Sequence, residues 1–123
     1  MIIAAESVPA ATSILLGAIL VVSGLFVIAI AQRGADGRIG PNRIAGVRTA
    51  ATLKSPEAWM AAHEAALGST KAAGWCSAIG GLTLIAWRPD SIGFIVVTMS
   101  AIGALLILCL HGAYRGHQAA KRT

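Results

Sequence analysis

The sequence predicts an all-α membrane protein, with three transmembrane helices and one basic cytoplasmic loop that contains a short interfacial helix. Apolar runs without Asp, Glu, Lys or Arg occupy residues 7–32, 72–87 and 91–114. The first and third exceed the roughly 20 residues that a helix needs to cross a bilayer core. Of the 123 residues, 56% are hydrophobic and 12% are charged. Three spans use most of this length, so we expect a single membrane domain over 1–123.

The distribution of charge predicts the orientation of these spans. Nine of the ten Lys and Arg residues lie in the segment 33–71 or in the tail 115–122. The positive-inside rule places both segments in the cytoplasm. We therefore expect an outside N-terminus and an inside C-terminus in a bacterial cytoplasmic membrane. This rule accounts for the net charge of +5 without nucleic-acid binding.

The first span is predicted over about 14–31, with Thr12 or Ser13 as its N-cap and Gly34 as its C-cap. A cleaved signal peptide is the alternative for this segment. Its start carries Glu6 and no basic residue up to position 13. The apolar run is also longer than the 7–15 residues of a typical signal core. We therefore expect the span to be retained.

The motif loop is predicted over 32–70 and should contain one short helix. Ser55, Pro56 and Glu57 form a strong helix start, with a capping hydroxyl, a proline in the first turn and an acid near the helix N-terminus. The helix is expected to run over 56–67 and to end at Gly68. Because it has few charges and precedes an apolar run, we expect it to lie at the membrane interface.

The second and third spans are predicted over about 71–87 and 92–110, joined by a tight turn over 88–91. The uncharged part of the second span covers only about 24 Å at 1.5 Å per residue. Lys71 and Arg88 at its ends can extend it by reaching toward water. Beyond residue 110 we expect a frayed tail.

Small residues at helical spacing predict close helix contacts. Gly17 and Gly24 share one stripe of the first span. Two further rows are Ala73, Ser77 and Gly81, and Ser100 with Ala104. In lipid such rows let helix backbones approach closely. They fit either packing within one bundle or the interface of a homo-oligomer.

The two cysteines, Cys76 and Cys109, fall inside predicted spans. Thiols buried near a reducing compartment favour free cysteines that serve packing. The spacing of His, Cys and acidic residues matches no metal motif. No phosphate-binding glycine loop or nucleophile–base pair is recognisable either. We therefore expect no cofactor and no enzymatic activity.

The most distinctive stretch runs over 42–63. Its polar, glycine and aromatic positions are Asn42, Gly46, Arg48, Thr49, Thr52, Trp59 and His63. The order of an Asn, Gly-aliphatic-Arg-Thr, Thr-Leu and a capped helix with Trp and His resembles the SdpI family of small bacterial membrane proteins. The resemblance covers about 38–84 and departs from the pattern at Ala50, where relatives often carry proline.

The resemblance implies a role without catalysis. The founding type of the family is an immunity protein that protects a cell from a secreted toxic peptide, and it also signals by holding a transcriptional repressor at the membrane. The first hypothesis is therefore immunity, membrane signalling, or both, with a protein or peptide partner. The alternative is a small accessory subunit of a larger membrane complex.

The residues of this stretch allow several interpretations. A hydrogen-bonded plug beneath the helices, a partner or ligand site, and a headgroup site are all open. Trp59 and His63 lie one helical turn apart; they could anchor the interfacial helix, form a ligand-binding face or respond to pH. Arginines recur every five residues from Arg33 to Arg48. That spacing predicts a solvated topogenic run that can attract anionic lipid.

Overall fold

The computed structural model describes residues 8–123 and consists of three helices. Helix α1 spans Ala10–Ala35, α2 spans Pro56–Trp87 and α3 spans Ser91–Lys121. The loop 36–55 joins the first two helices. The prediction of an all-α fold is confirmed within this part of the chain. Glu6, on which part of the signal-peptide argument rests, lies outside the described residues.

Helix α2 is the centre of the arrangement. It packs along both α1 and α3, whereas α1 and α3 barely meet. The turn after α2 is tight, as predicted: Arg88 has a left-handed backbone with φ of 50°, and the Asp90 carboxylate caps α3 by accepting from the Gly93 N–H at 2.8 Å. The Lys54 ammonium donates to the Thr123 carbonyl at 3.4 Å, so the basic loop and the basic tail lie at the same end of the molecule.

The prediction of a separate interfacial helix ending at Gly68 is wrong, because α2 continues through this glycine to Trp87. The predicted helix start is confirmed: the Ser55 hydroxyl accepts from the Ala58 N–H at 3.0 Å. A glycine inside a helix costs only about 1 kcal/mol. Here its neighbours are good helix formers, and tertiary packing on both sides of Gly68 outweighs that cost. The loop is accordingly shorter than the predicted 32–70.

The tail beyond residue 110 is not frayed. Helix α3 continues to Lys121 because small residues let it approach the first half of α2. A Cβ atom on Gly116 would lie 2.8 Å from the Ala62 carbonyl oxygen. One turn further, Ala120 is fully buried with Ala62 in a cluster of alanines. The spacing of Gly112, Gly116 and Ala120 is the same small-residue pattern that predicts contacts within lipid.

The ends of α1 also differ from the prediction. Pro9 occupies the N-cap position, and no side chain caps this end. Ser13 is instead turned toward α2. At the other end Asp36 is the C-cap residue, and the left-handed glycine is Gly37, with φ of 77°. Gly34 remains helical because α2 packs directly against it.

The glycine stripe of α1 packs against small residues of α2, as predicted. A Cβ atom on Gly17 would lie 2.6 Å from the carbonyl oxygen of Gly81. A Cβ atom on Gly24 would collide with the carbonyl oxygen of Gly74 and lie 2.8 Å from the Ala78 nitrogen. The two backbones therefore touch, and only glycine fits at these crossings.

Two buried hydroxyls join the same pair of helices. The Ser13 hydroxyl donates to the Leu84 carbonyl at 2.7 Å, and the Ser77 hydroxyl donates to the Leu20 carbonyl at 2.8 Å. Each such bond in a membrane interior contributes about 0.6 kcal/mol on average. The row that contains Ser77 thus packs inside the bundle.

The outer surface of the bundle is apolar. Helices α1 and α3 are long and apolar enough to cross a bilayer, and only 22% and 6% of their most apolar windows are buried. Core helices of soluble proteins bury far more of such a window. The same measure does not select α2. That 71–87 crosses the bilayer therefore stays a prediction, as does the three-span topology.

Substitution of Gly24 by alanine tests the close approach of α1 and α2. We expect Gly24→Ala to lower the free energy of unfolding by about 1–3 kcal/mol, because the added methyl group overpacks the contact. Gly103→Ala is the matched control, since nothing lies within 4 Å of a Cβ atom there. Thermal unfolding in mild detergent, followed by circular dichroism, measures both. Equal effects of the two substitutions would contradict the contact.

Candidate functional site

The motif loop folds as a plug over the first turns of α2. Trp59 lies in the second turn of α2 and is 1% exposed. Its indole N–H donates to the Ile39 carbonyl at 2.7 Å. His63 follows one turn later and is also buried, with its ring centroid 4.2 Å from that of Trp59. The prediction that Trp59 anchors an interfacial helix is wrong, because the loop covers its ring.

His63 joins the loop to α2 through its two ring nitrogens, one bonded to each. Its Nε2 accepts from the Val47 N–H at 3.0 Å, and its Nδ1 lies 2.8 Å from the Trp59 carbonyl oxygen. Because Nε2 accepts, the proton must lie on Nδ1, and the imidazole is neutral. Burial lowers the pKa of His63 below its usual value, although the hydrogen bond to the Trp59 carbonyl opposes this shift. Gly34 of α1 lies against the same ring.

Gly46 fits where no other residue would. Its φ of 108° is a conformation that residues with a Cβ atom rarely adopt. A Cβ atom would also lie 2.6 Å from Nε2 of His63 and 2.8 Å from the Trp59 ring. The glycine therefore lets the loop backbone approach both rings, which the Val47 hydrogen bond requires.

Two threonines fix the next turn of the loop. Thr52 is fully buried; its hydroxyl accepts from the Thr49 N–H at 2.8 Å and donates to the Val47 carbonyl at 2.7 Å. The Thr49 hydroxyl lies 2.8 Å from Nδ1 of His117 on α3. These contacts tie the loop to α3 as well as to α2.

The sequence did not identify His117 as a site residue, because a frayed tail was expected beyond residue 110. His117 is also 68 residues away from Thr49 in the sequence. The small-residue spacing of Gly112 and Gly116 could have revealed it. That spacing predicts a helix contact beyond residue 110 and carries His117 to the loop.

Asn42 and Arg48 form the outer edge of the loop. The Asn42 carboxamide oxygen accepts from the N–H groups of Ile44 and Ala45, each at 2.8 Å, and so closes a tight turn. Arg48 donates from Nε to the Asn42 carbonyl at 3.0 Å and is exposed to solvent. The guanidinium is thus held at the surface through its Nε.

The predicted site residues are brought together, but they divide into two groups. Most bind the loop to itself or to the helices: Asn42, Gly46, Thr49, Thr52, Trp59 and His63. Arg48 alone among them presents its charge to the surroundings. The geometry is that of the hydrogen-bonded plug. A binding role for any of the seven stays a prediction.

The arginines that recur from Arg33 to Arg48 differ in whether they form an ion pair. The Arg38 guanidinium pairs with the Asp36 carboxylate at 2.7 Å. The pKa of Asp36 is lowered by the hydrogen bond from Gln32 and then by the one from Arg38. Within residues 8–123 the structure places no carboxylate at ion-pair distance from Arg33, Arg43 or Arg48.

Stability should depend on pH through His63. Its folded-state pKa lies below the ordinary value of 6.5, so between the two values only the unfolded chain binds the proton. The stabilising contribution is complete above about pH 6.5 and is lost as pH falls toward the folded-state pKa. Melting temperature against pH in detergent measures it. His63→Gln should flatten the slope, whereas exposed His111→Gln should retain it; an unchanged slope in His63→Gln would assign it to another group.

Gly46→Ala should lower the free energy of unfolding by about 1–3 kcal/mol, through backbone strain and collision with His63. Gly40→Ala in the same loop is the control, because nothing lies within 4 Å of a Cβ atom there. Its effect should stay within about 0.5 kcal/mol. Thermal unfolding followed by tryptophan fluorescence compares them. If Gly46→Ala were as mild as the control, the described loop conformation would be wrong.

Comparison with known proteins bears on the same segment. The model of the SdpI/YfhL protein family matches residues 38–111, which is more than half of the chain. No curated protein and no solved structure is significantly similar to it. The matched range includes the motif loop and α2. Together with the two apolar helices, the match indicates a membrane protein. The chain belongs to the SdpI/YfhL protein family.

Proposed function

We propose that the chain is a non-enzymatic membrane protein of the SdpI type. Its role would be immunity against a toxic peptide, membrane signalling by sequestration of a partner, or both. The family match over 38–111 carries this proposal. The matched loop is closed by inward hydrogen bonds and presents two exposed arginines, Arg43 and Arg48, that have no carboxylate at ion-pair distance within residues 8–123; this suits recognition of a partner.

The proposed topology has three spans in the bacterial cytoplasmic membrane, with the N-terminus outside and the C-terminus in the cytoplasm. The shared location of the loop and the tail supports it, because nine of the ten basic residues then face one side. The continuous α2 also supports it. It packs against two helices that are apolar enough to cross, which supports a crossing by 71–87 as well.

A binding mechanism follows from the outward face of the loop. Arg48 offers a planar set of donors that fits a carboxylate, and Arg43 and Ile44 beside it are exposed, Ile44 to 92%. The inward bonds of Trp59 and His63 hold this face in one conformation. Little further ordering is needed on binding, which lowers the entropic cost of recognition.

One contact has the distance of a catalytic pair but supports a structural role. The Thr49 hydroxyl and the His117 imidazole lie 2.8 Å apart, as a nucleophile and a base would. However, the same hydroxyl oxygen accepts from the Thr52 N–H at 3.2 Å, inside the folded loop. The pair therefore joins the loop to α3, which agrees with the absence of catalysis in the proposal.

Arg48→Ala tests the proposal in cells that express the chain and are challenged with membrane-active peptides. Expression should raise the inhibitory peptide concentration, and the substitution should remove about tenfold or more of that protection, because a paired charge loses its partner. Arg122→Ala in the exposed tail is the matched control and should protect normally. Immunoblots of membranes verify equal amounts of the variants.

Purification in mild detergent distinguishes the proposed role from that of an accessory subunit. Co-purification of a toxin-like peptide or a cytosolic protein that depends on Arg48 supports the proposal. Recovery of the chain in a stoichiometric larger membrane complex, with no protection of cells, would replace it with the accessory-subunit role.

A further inference from the structure

A cavity of about 310 Å³ lies where the three helices meet the motif loop. Helix α1 contributes Phe26 and Val27, α2 contributes His63, and α3 contributes Cys109. The loop backbone over 44–47 covers the cavity from the basic end of the molecule. The cavity therefore sits at the level where the apolar helices emerge toward the charged loop.

The lining and size of the cavity suit an alkyl chain. Its walls are mainly apolar, and the ring nitrogens of His63 are already used by the loop and by α2. The volume lies at the low end of ligand pockets, which run from about 300 to 1,000 Å³.

The rim of the cavity reaches the outer surface of the bundle. Phe26 and Ile44 both line it and are 62% and 92% exposed. Helices α1 and α3 hardly touch, and both contribute lining residues to the cavity and exposed apolar side chains to the outer surface. An occupant can enter sideways from the membrane.

Two exposed arginines lie close in sequence to residues that line the cavity. Arg33 follows the lining residue Ala31 by two positions, and Arg43 precedes the lining residue Ile44. Both arginines are exposed, and the described residues place no carboxylate at ion-pair distance from either. An apolar cavity whose lining residues lie close in sequence to two exposed arginines complements an anionic amphiphile.

We propose that the cavity binds one acyl chain of an anionic phospholipid from the leaflet on the basic side. The end of the acyl chain lies between α1 and the motif loop, and the headgroup phosphate pairs with Arg33 and Arg43. The bound lipid thereby fills the space under the loop. This binding is separate from the proposed immunity role, and its test uses neither a toxin nor Arg48.

Trp59 provides the readout. It is 1% exposed and lies against Gly46, which lines the cavity, so bulk lipid does not touch its ring. Trp75→Phe and Trp87→Phe remove the two tryptophans that are exposed on the apolar surface. The resulting protein is placed in nanodiscs that contain phosphatidylglycerol or phosphatidylcholine with brominated acyl chains. We expect Trp59 emission to be quenched by brominated phosphatidylglycerol and much less by brominated phosphatidylcholine.

Two sets of variants, each with its own control, identify the site. Val27→Phe fills the cavity and should abolish the quenching, whereas Val22→Phe on the exposed side of α1 should leave it unchanged. Arg33→Gln and Arg43→Gln should each require about fivefold more phosphatidylglycerol for equal quenching, since a basic residue near an anionic surface contributes about 1 kcal/mol. Arg122→Gln in the tail should require no more than the parent.

Native mass spectrometry of the chain with all its tryptophans makes the same comparison without the double substitution. Retention of one phosphatidylglycerol that Val27→Phe loses and Val22→Phe keeps supports the proposal. Equal quenching by the two lipids, or quenching that survives Val27→Phe, overturns it. Loss of toxin protection in cells would leave these results unaffected, so the two proposals fail separately.

Discussion

Two aromatic rings on adjacent turns of α2 determine the conformation of the motif loop. Trp59 donates to Ile39 near its start, and His63 accepts from Val47 near its middle. Ordering the backbone costs about 1–2 kcal/mol per residue. The 20 residues of 36–55 contain no helix, so no regular ladder of helical hydrogen bonds offsets this cost there. Buried rings that bond the loop backbone offset part of this cost. They also satisfy N–H and carbonyl groups that burial would otherwise leave without partners.

The contacts of Trp59 and His63 with the loop also depend on how closely the helices approach one another. His63 reaches the loop because Gly34 of α1 leaves room for its ring, and Gly46 lets the loop backbone pass over it. Helix α2 can contact both neighbours because their facing residues are small. The cost of this arrangement is a poor contact between α1 and α3. The cavity beneath the loop has lining residues from both of these helices.

Local signals in the sequence were reliable where one residue decides the structure. Ser55 before Pro56 predicted the start of α2, and the turn around Pro89 predicted the hairpin, because caps and prolines act through neighbouring atoms. Gly34 and Gly68 were misread as helix ends. A glycine permits a helix to stop but does not compel it. Helix α2 packs directly against Gly34, and α2 runs through the exposed Gly68 because the residues on both sides of it pack against the neighbouring helices. The contact of Thr49 with His117 needed the full course of α3, which no local pattern contains.

The site residues were identified more successfully than their roles. Most of the seven serve the construction of the loop, through rings, hydroxyls or a required glycine, and leave few groups for a partner. A motif composed mainly of inward-facing residues specifies an architecture, and proteins with this loop can present different surfaces. Under the proposed function, specificity for a partner would then reside in the exposed positions around Arg43, Ile44 and Arg48. These positions can change without disturbing Trp59 or His63, so one loop can serve several recognition tasks.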